Sequence, residues 1–134
     1  PSDVSSEHVY FKPVDITPVQ GKPMVLSEFG GYSCRIEEHS FNPGKSYGYR
    51  RCADTEAFMR DLEKLYTGEI VPMIRRGLCA SVLTQLSDVE DETNGLLTYD
   101  RRVNKVGRER MLAIAGSIQS AFAKATANSS GTKK

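Results

Sequence analysis

Two short apolar runs constrain the fold of this chain more than any other feature of its sequence. Met24-Val25-Leu26 lies between Gly21-Lys22-Pro23 and Gly30-Gly31, and a second run extends from Leu78 to Leu83 after Gly77. Neither run alternates apolar with polar residues, which is typical of strands that are buried on both faces of a parallel sheet. We therefore predict two buried parallel strands.

Each run is followed by a loop, and a helical pattern follows the loop. The first helix is predicted from Thr55, capped by Asp54 or Thr55; Pro72 is expected to kink or end it and Gly77 to stop it. A last helix is predicted over 108–124. The order strand, helix, strand, helix indicates parallel strands joined by right-handed crossovers.

The length of the chain sets how much of such a fold it can hold. Two units and part of a third cannot cover both faces of a parallel sheet, and a closed eight-unit barrel needs about 250 residues. The chain also opens with Pro1-Ser2-Asp3 and no Met. We therefore predict an α/β fold in which residues 1–125 form about the last third of a (β/α)8 TIM barrel, with parallel strands and flanking helices. Residues 126–134 are predicted to be a disordered tail.

Composition excludes several classes of protein. Eighteen basic residues against 17 acidic ones leave a formal charge of +1, which provides no electrostatic surface for nucleic acid. No apolar stretch approaches the ~18 residues of a membrane span. The three cysteines are odd in number and lack C-x-x-C spacing, which indicates a reducing, cytoplasmic location.

Candidate site residues follow the two predicted strands. In parallel α/β folds, catalytic groups lie at the carboxyl ends of strands. Glu28 comes directly after the first run, where burying a carboxylate is costly unless it has a partner or a task. Gln85 and Asp88 follow the second run, and Asp88 could bind a substrate hydroxyl. Alternatively, Glu28 pairs with an arginine or caps a turn, and Asp88 holds its own loop together.

Two segments carry a resemblance to a known family. Lys22-Pro23-Met24-Val25-Leu26-Ser27-Glu28-Phe29-Gly30-Gly31 resembles the nucleophile segment of the family two glycoside hydrolases, the β-galactosidase, β-glucuronidase and β-mannosidase group. The stretch from Gly77 to Arg101, which includes Thr84-Gln85-Leu86-Ser87-Asp88, is similar to the last barrel strand of that family and the loop after it. The resemblance extends from about Tyr10 to Phe122.

The resemblance implies that Glu28 is the nucleophile of a retaining glycosidase that acts on β-linked sugars. Such enzymes place a second, acid/base carboxyl group ~5–5.5 Å from the nucleophile. In the family this group is a glutamate preceded by asparagine, and residues 1–27 hold no such pair, since Glu7 follows Ser6. The resemblance therefore places the acid/base on an upstream part of the same barrel and implies that this chain is inactive alone.

The resemblance implies one further contact. Tyr10 corresponds to a tyrosine that hydrogen-bonds the nucleophile, although a ring packed at a strand end is the alternative. Separately from the resemblance, Tyr32 belongs to an aromatic loop that suits a sugar pocket or, alternatively, is anchored on the barrel rim by its rings. Gln85 and Asp88, after the second strand, complete the predicted carbohydrate-binding set. The chain lacks the tryptophan that many relatives have near the position of Thr84, so the sugar is not predicted. No cofactor is expected and no metal ligand is assigned.

Two other hypotheses fit the sequence. The chain could be a non-catalytic fragment of a degenerate barrel that binds sugar or only assembles. In another barrel hydrolase, Glu28 would be the acid/base rather than the nucleophile. A fragment of a barrel that stands alone would expose strand edges, so we also predict that copies of the chain associate into a homo-oligomer.

Overall fold

A seven-residue strand lies at the centre of a three-stranded parallel sheet. The computed structural model describes residues 2–130. Its strands are β1 Ser5–Val9, β2 Met24–Gly30, β3 Tyr32–Ser33, β4 Arg50–Arg51 and β5 Leu78–Thr84. Strand β1 pairs with one edge of the central β2 and β5 with the other, and the shorter β3 and β4 form a separate parallel pair.

One long helical stretch connects β4 to β5. It consists of α1 (Thr55–Leu65), a π-helical segment (Tyr66–Ile70) and α2 (Val71–Arg75). The predicted start is confirmed, because the Asp54 side chain accepts a hydrogen bond from the Ala57 amide at 2.7 Å. Pro72 does not end the helix but lies in the first turn of α2, where a missing amide hydrogen is tolerated.

A second long helix, α3 (Arg108–Ser130), follows β5 and a loop. It continues past residue 124, where the sequence predicts its end, and residues 131–134 of the predicted tail lie outside the described residues. Within residues 2–130, no helix combines the length and the hydropathy that crossing a bilayer requires.

The main core lies between β2 and the long helical stretch. Leu26 and Phe29 have no exposed surface, and they pack in one cluster with Leu65, Ile70 and Met73. The buried side chain of Ala121 brings α3 against the same cluster. Burying side chains of this size contributes about 1.5–3 kcal/mol each, so this face of the sheet holds the fold together.

The predicted portion of a (β/α)8 barrel with flanking helices is wrong; the structure is a small, open α/β fold. Only the crossover from β2 to β5 contains a helix, whereas residues 10–23, between β1 and β2, contain none. Pro13, Pro18 and Pro23 explain this, because each fixes φ and removes a backbone donor. Within residues 2–130, β1 and β5 are the two edges of the sheet and do not close it.

The cap of α1 provides a first prediction. We expect Asp54→Ala to lower the free energy of unfolding by about 1 kcal/mol, because the Ala57 amide loses its acceptor. Urea unfolding followed by circular dichroism measures this change. Asp54→Asn is the matched control, since asparagine caps helices equally well, and an equal loss in both variants would contradict the cap.

Candidate functional site

An irregularity in β2 determines where Glu28 points. Pairing with β1 runs in step from Ser5–Met24 to Glu7–Leu26 and then resumes at His8–Glu28, so Ser27 is an extra residue. Met24 and Leu26 are buried on the helix-covered face, and regular alternation would place Glu28 there as well. The bulge shifts the alternation by one residue, as bulges beside functional sites do. Phe29 therefore takes the buried position, and the Glu28 side chain stays 45% exposed.

Two neighbouring side chains contact the Glu28 carboxylate. The Tyr10 hydroxyl donates to Oε2 at 3.0 Å, and His8 Nδ1 lies 3.4 Å from the same oxygen. Thr84 Oγ1 lies 2.7 Å from the Tyr10 hydroxyl oxygen. Because the single proton of Tyr10 is used on Glu28, the Thr84 hydroxyl is the donor in that second bond. Within residues 2–130, Glu28 Oε1 has no hydrogen-bond partner.

Tyr10 stays protonated under all physiological conditions. Partial burial, together with the negative charge of Glu28, raises the pKa of Tyr10 to about 12. The phenol therefore always donates to the carboxylate. It orients Oε2 and does not become a second negative charge beside it. The predicted contact between Tyr10 and Glu28 is present in the structure.

A cluster of aromatic rings extends from Tyr10 away from Glu28. The rings of Tyr10 and Tyr49 are stacked with centroids 3.7 Å apart, and Tyr47 meets Tyr49 edge-on at 5.8 Å. Gly31 makes the stack possible, because a Cβ atom there would collide with the Tyr49 ring and its φ of +64° disfavours other residues. Gly31 is thus required for ring packing as well as for the turn.

Tyr32 is not brought to Glu28. Its ring packs against the core, and the Arg50 guanidinium lies 5.6 Å from the ring centroid. Burial raises the pKa of Tyr32. Tyr32 lines a separate cavity of about 370 Å³ together with Glu69, and Glu28 does not line that cavity.

Asp88 and Gln85 organise their own loop. The Asp88 side chain is 1% exposed, accepts from the Gly95 amide at 2.8 Å, and lies 2.6 Å from Lys105 Nζ. Burial raises the pKa of Asp88. Gln85 donates to Glu92 and Asn94. Neither Asp88 nor Gln85 contacts Glu28. The structure thus agrees with the alternative in which Asp88 holds its own loop together.

Sequence reasoning missed three neighbours of the Glu28–Tyr10 pair or gave them no role: Thr84, Tyr49 and the extra residue Ser27. Thr84 pairs with Gly30 across β2 and β5, so its proximity depends on strand register. The bulge has a signal in the sequence, since polar Ser27-Glu28 separates Leu26 from Phe29 by two residues where a regular strand has one.

The site holds no evident metal centre in the part of the chain that the structure describes, where no group of three or more potential ligands comes together. The chain matches no protein-family model, and a search of the curated proteins finds no match either. The resemblance to family two glycoside hydrolases therefore remains a prediction from the sequence.

Proposed function

We propose that Glu28 is the nucleophile of a retaining glycosidase that cleaves β-linked sugars by double displacement. One observation carries the proposal. The bulge presents the Glu28 carboxylate on the open face of the sheet, with Oε2 bound by Tyr10 and Oε1 without a hydrogen-bond partner among residues 2–130. A carboxylate held by one oxygen while the other is free suits in-line attack on a sugar.

The chemistry assigns a task to each oxygen. Oε1 forms a bond to the anomeric carbon while the bond from that carbon to the leaving oxygen breaks, and its electron pair departs on the leaving oxygen. Water then attacks the anomeric carbon and releases the Glu28 carboxylate, so that two inversions retain the configuration. Tyr10 is a positioning residue: its hydrogen bond to Oε2 keeps Oε1 directed at the substrate.

A second carboxyl group must protonate the leaving oxygen, and its carboxylate must then accept the proton that the attacking water loses. We place it on polypeptide other than these 134 residues, because the sequence contains no Asn-Glu pair like that of the family. The open face beside Glu28 is where that polypeptide would dock.

We further place the protein in the cytoplasm, because Cys34, Cys52 and Cys79 are all free thiols.

Mechanism-based labelling tests the proposal without the acid/base. Fluorinated β-glycosides with a dinitrophenyl leaving group trap a nucleophile as a glycosyl ester, and dinitrophenolate departs without protonation. We expect incubation of the chain with such glycosides of galactose, glucose, mannose and glucuronic acid to add one fluoroglycosyl group to the peptide containing Glu28. Mass spectrometry of the digested protein locates it.

Glu7→Gln is the matched control, because Glu7 is an exposed glutamate on the neighbouring strand. That variant should label like the unsubstituted chain, whereas Glu28→Gln should not label. Labelling of a different residue, or of no residue with any of the four sugars, would contradict the assignment of the nucleophile.

Tyr10→Phe should slow trapping by about 10- to 100-fold, which corresponds to losing one hydrogen bond to a charged group. The rate of fluoroglycoside labelling measures this loss. Tyr32→Phe is the control, because the Tyr32 ring packs against Arg50 and does not contact Glu28. If both variants label at the unsubstituted rate, Tyr10 does not position the nucleophile.

We also propose that copies of this chain associate through the unpaired edges of β1 and β5. Unpaired strand edges bind other strands readily, since their backbone donors and acceptors lack partners. Light scattering should give a mass of at least twice 14.8 kDa. A monomer at all accessible concentrations would contradict this association.

A further inference from the structure

A positively charged groove lies at the far end of the aromatic cluster. It has a volume of about 520 Å³ and opens to solvent. Tyr47 forms part of its lining, together with the three cations Arg35, Lys45 and Arg51 and the single carboxylate Asp91.

The positive charge of the groove is only partly neutralised. Lys45 Nζ lies 3.9 Å from Asp91, a weak ion pair, and Arg35 donates to the Pro43 carbonyl, which leaves its charge uncompensated. Arg51 has no ion-pair partner within residues 2–130. Glu92 is also nearby in the chain, but Gln85 binds its carboxylate and it does not line the groove. The lining therefore keeps a net charge of +2, three cations against the Asp91 carboxylate, which is available to an anionic ligand.

The aromatic rings connect this groove to Glu28. Tyr47 contacts Tyr49, the Tyr49 ring is stacked on Tyr10, and Tyr10 binds Glu28. Aromatic faces with a few polar groups suit sugar rings, and the contacts from Tyr10 through Tyr49 to Tyr47 form a continuous path from Glu28 to the groove. A chain of sugar units bound at Glu28 would reach the groove across these tyrosines.

We propose that the substrate is an anionic oligosaccharide, whose negatively charged unit binds in this groove while a different unit is bound at Glu28. The inference rests on the proposed function, because it identifies the class of substrate for the same site. Arginine and lysine together bind carboxylate and sulfate groups, and arginine does so through paired hydrogen bonds. The protein therefore recognises the charged group of the substrate at a site separate from the bond that is cleaved.

Binding measurements with matched oligosaccharides test this. We would titrate the chain with neutral β-linked tetrasaccharides of glucose, galactose and xylose, and with counterparts that carry one uronate or one sulfate ester. Calorimetry gives the affinity, and two-dimensional amide NMR locates the bound sugar. We expect a charged member to bind at least tenfold more tightly than its neutral counterpart, and the difference to shrink as salt increases.

Charge-matched variants connect that preference to the groove. Lys45→Gln with Arg51→Gln should abolish the preference, and both residues are exposed, so the fold should be unaffected. Lys64→Gln with Arg75→Gln removes the same charge from the exposed surface of the helix and should keep the preference. Equal affinities for charged and neutral sugars, no binding of any sugar, or a preference that survives in the groove variant would overturn the proposal.

The uronate and sulfate arms distinguish which anion is recognised. Failure of the groove is also distinguishable from failure of the proposed function. Fluoroglycoside labelling at Glu28 without a charge preference would reject the anion site in the groove and support Glu28 as the nucleophile. Charge-selective binding without labelling would reject Glu28 as the nucleophile and support an anionic-sugar site in the groove.

Discussion

Glu28→Gln should lower kcat/KM for glycoside cleavage by roughly four to six orders of magnitude once the acid/base polypeptide is present, because the amide cannot form the glycosyl-enzyme. The side chain is 45% exposed, so we expect the free energy of unfolding to change by no more than about 0.5 kcal/mol. Release of an aryl leaving group from aryl β-glycosides measures the rate, and Glu7→Gln should remain fully active. A variant that retains the original rate would eliminate the proposed function.

Azide distinguishes a nucleophile from an acid/base at the same position. In Glu28→Gly, azide can enter the space left by the carboxylate and attack the anomeric carbon of an activated β-glycoside while the aryl oxide leaves. One inversion gives an α-glycosyl azide. If Glu28 were the acid/base, a separate nucleophile would first form the glycosyl-enzyme and azide would give the β product. Finding the β-azide would reject our assignment in favour of that alternative.

Lys105→Met should lower the free energy of unfolding by about 3–5 kcal/mol, because it leaves a buried charge without its partner. Lys105 Nζ lies 2.6 Å from Asp88 and 3.1 Å from the Thr93 carbonyl oxygen, and the two side chains are 0% and 1% exposed. Asp88 Oδ2 has no partner among residues 2–130, so after the substitution only the Gly95 amide would still stabilise the charge. Lys45→Met, at an exposed lysine, should change stability little.

The pH dependence of this effect has a definite sign. Burial already raises the pKa of Asp88, and removing Lys105 raises it further. A carboxyl group with a raised pKa in the folded state stabilises the fold below its unfolded pKa, and that contribution is lost as the pH rises through the folded value. The cost of Lys105→Met should therefore be smaller near pH 4 than at pH 7.

Adding Asp88→Asn to Lys105→Met should recover part of the loss at pH 7, because a neutral amide can still accept from the Gly95 amide. Urea unfolding at the two pH values measures each variant. A cost that does not depend on pH, together with no recovery in the double variant, would show that packing and not charge makes Lys105 important.

Local features of the fold were predictable from the sequence because their causes are local. Asp54 caps α1 through its own side chain, and the apolar runs before Glu28 and after Gly77 do form β2 and β5. The predicted burial of both strands was wrong for β5, which is mostly exposed. The barrel was not predictable in the same way. A short parallel unit has the same pattern whether it belongs to an open sheet or to a closed one, so extrapolation from two strands to eight was wrong.

The site was predictable to a similar extent. The resemblance predicted a hydrogen bond between Tyr10 and Glu28, and the structure has that hydrogen bond. The contact of Thr84 with Tyr10 depends on the register of two strands, which no local pattern records. Lys105 was missed because lysine is rarely fully buried, and the partners that permit its burial, Asp88 and the Thr93 carbonyl, are brought to it only by the folded loop. A Cβ atom at Gly95 would collide with the Ser87 and Asp88 backbone, which the sequence does not reveal.

The extra residue in β2 makes the direction of the Glu28 side chain depend on the strand staying irregular. If residues 24–29 alternated strictly, Glu28 would share the buried face with Met24 and Leu26, and the Phe29 ring would face water. Removing Ser27 would leave one residue between Leu26 and Phe29, so a regular strand would then keep the carboxylate outward and the ring inward. A shortened version of this protein that lacks Ser27 should therefore retain both orientations without the bulge.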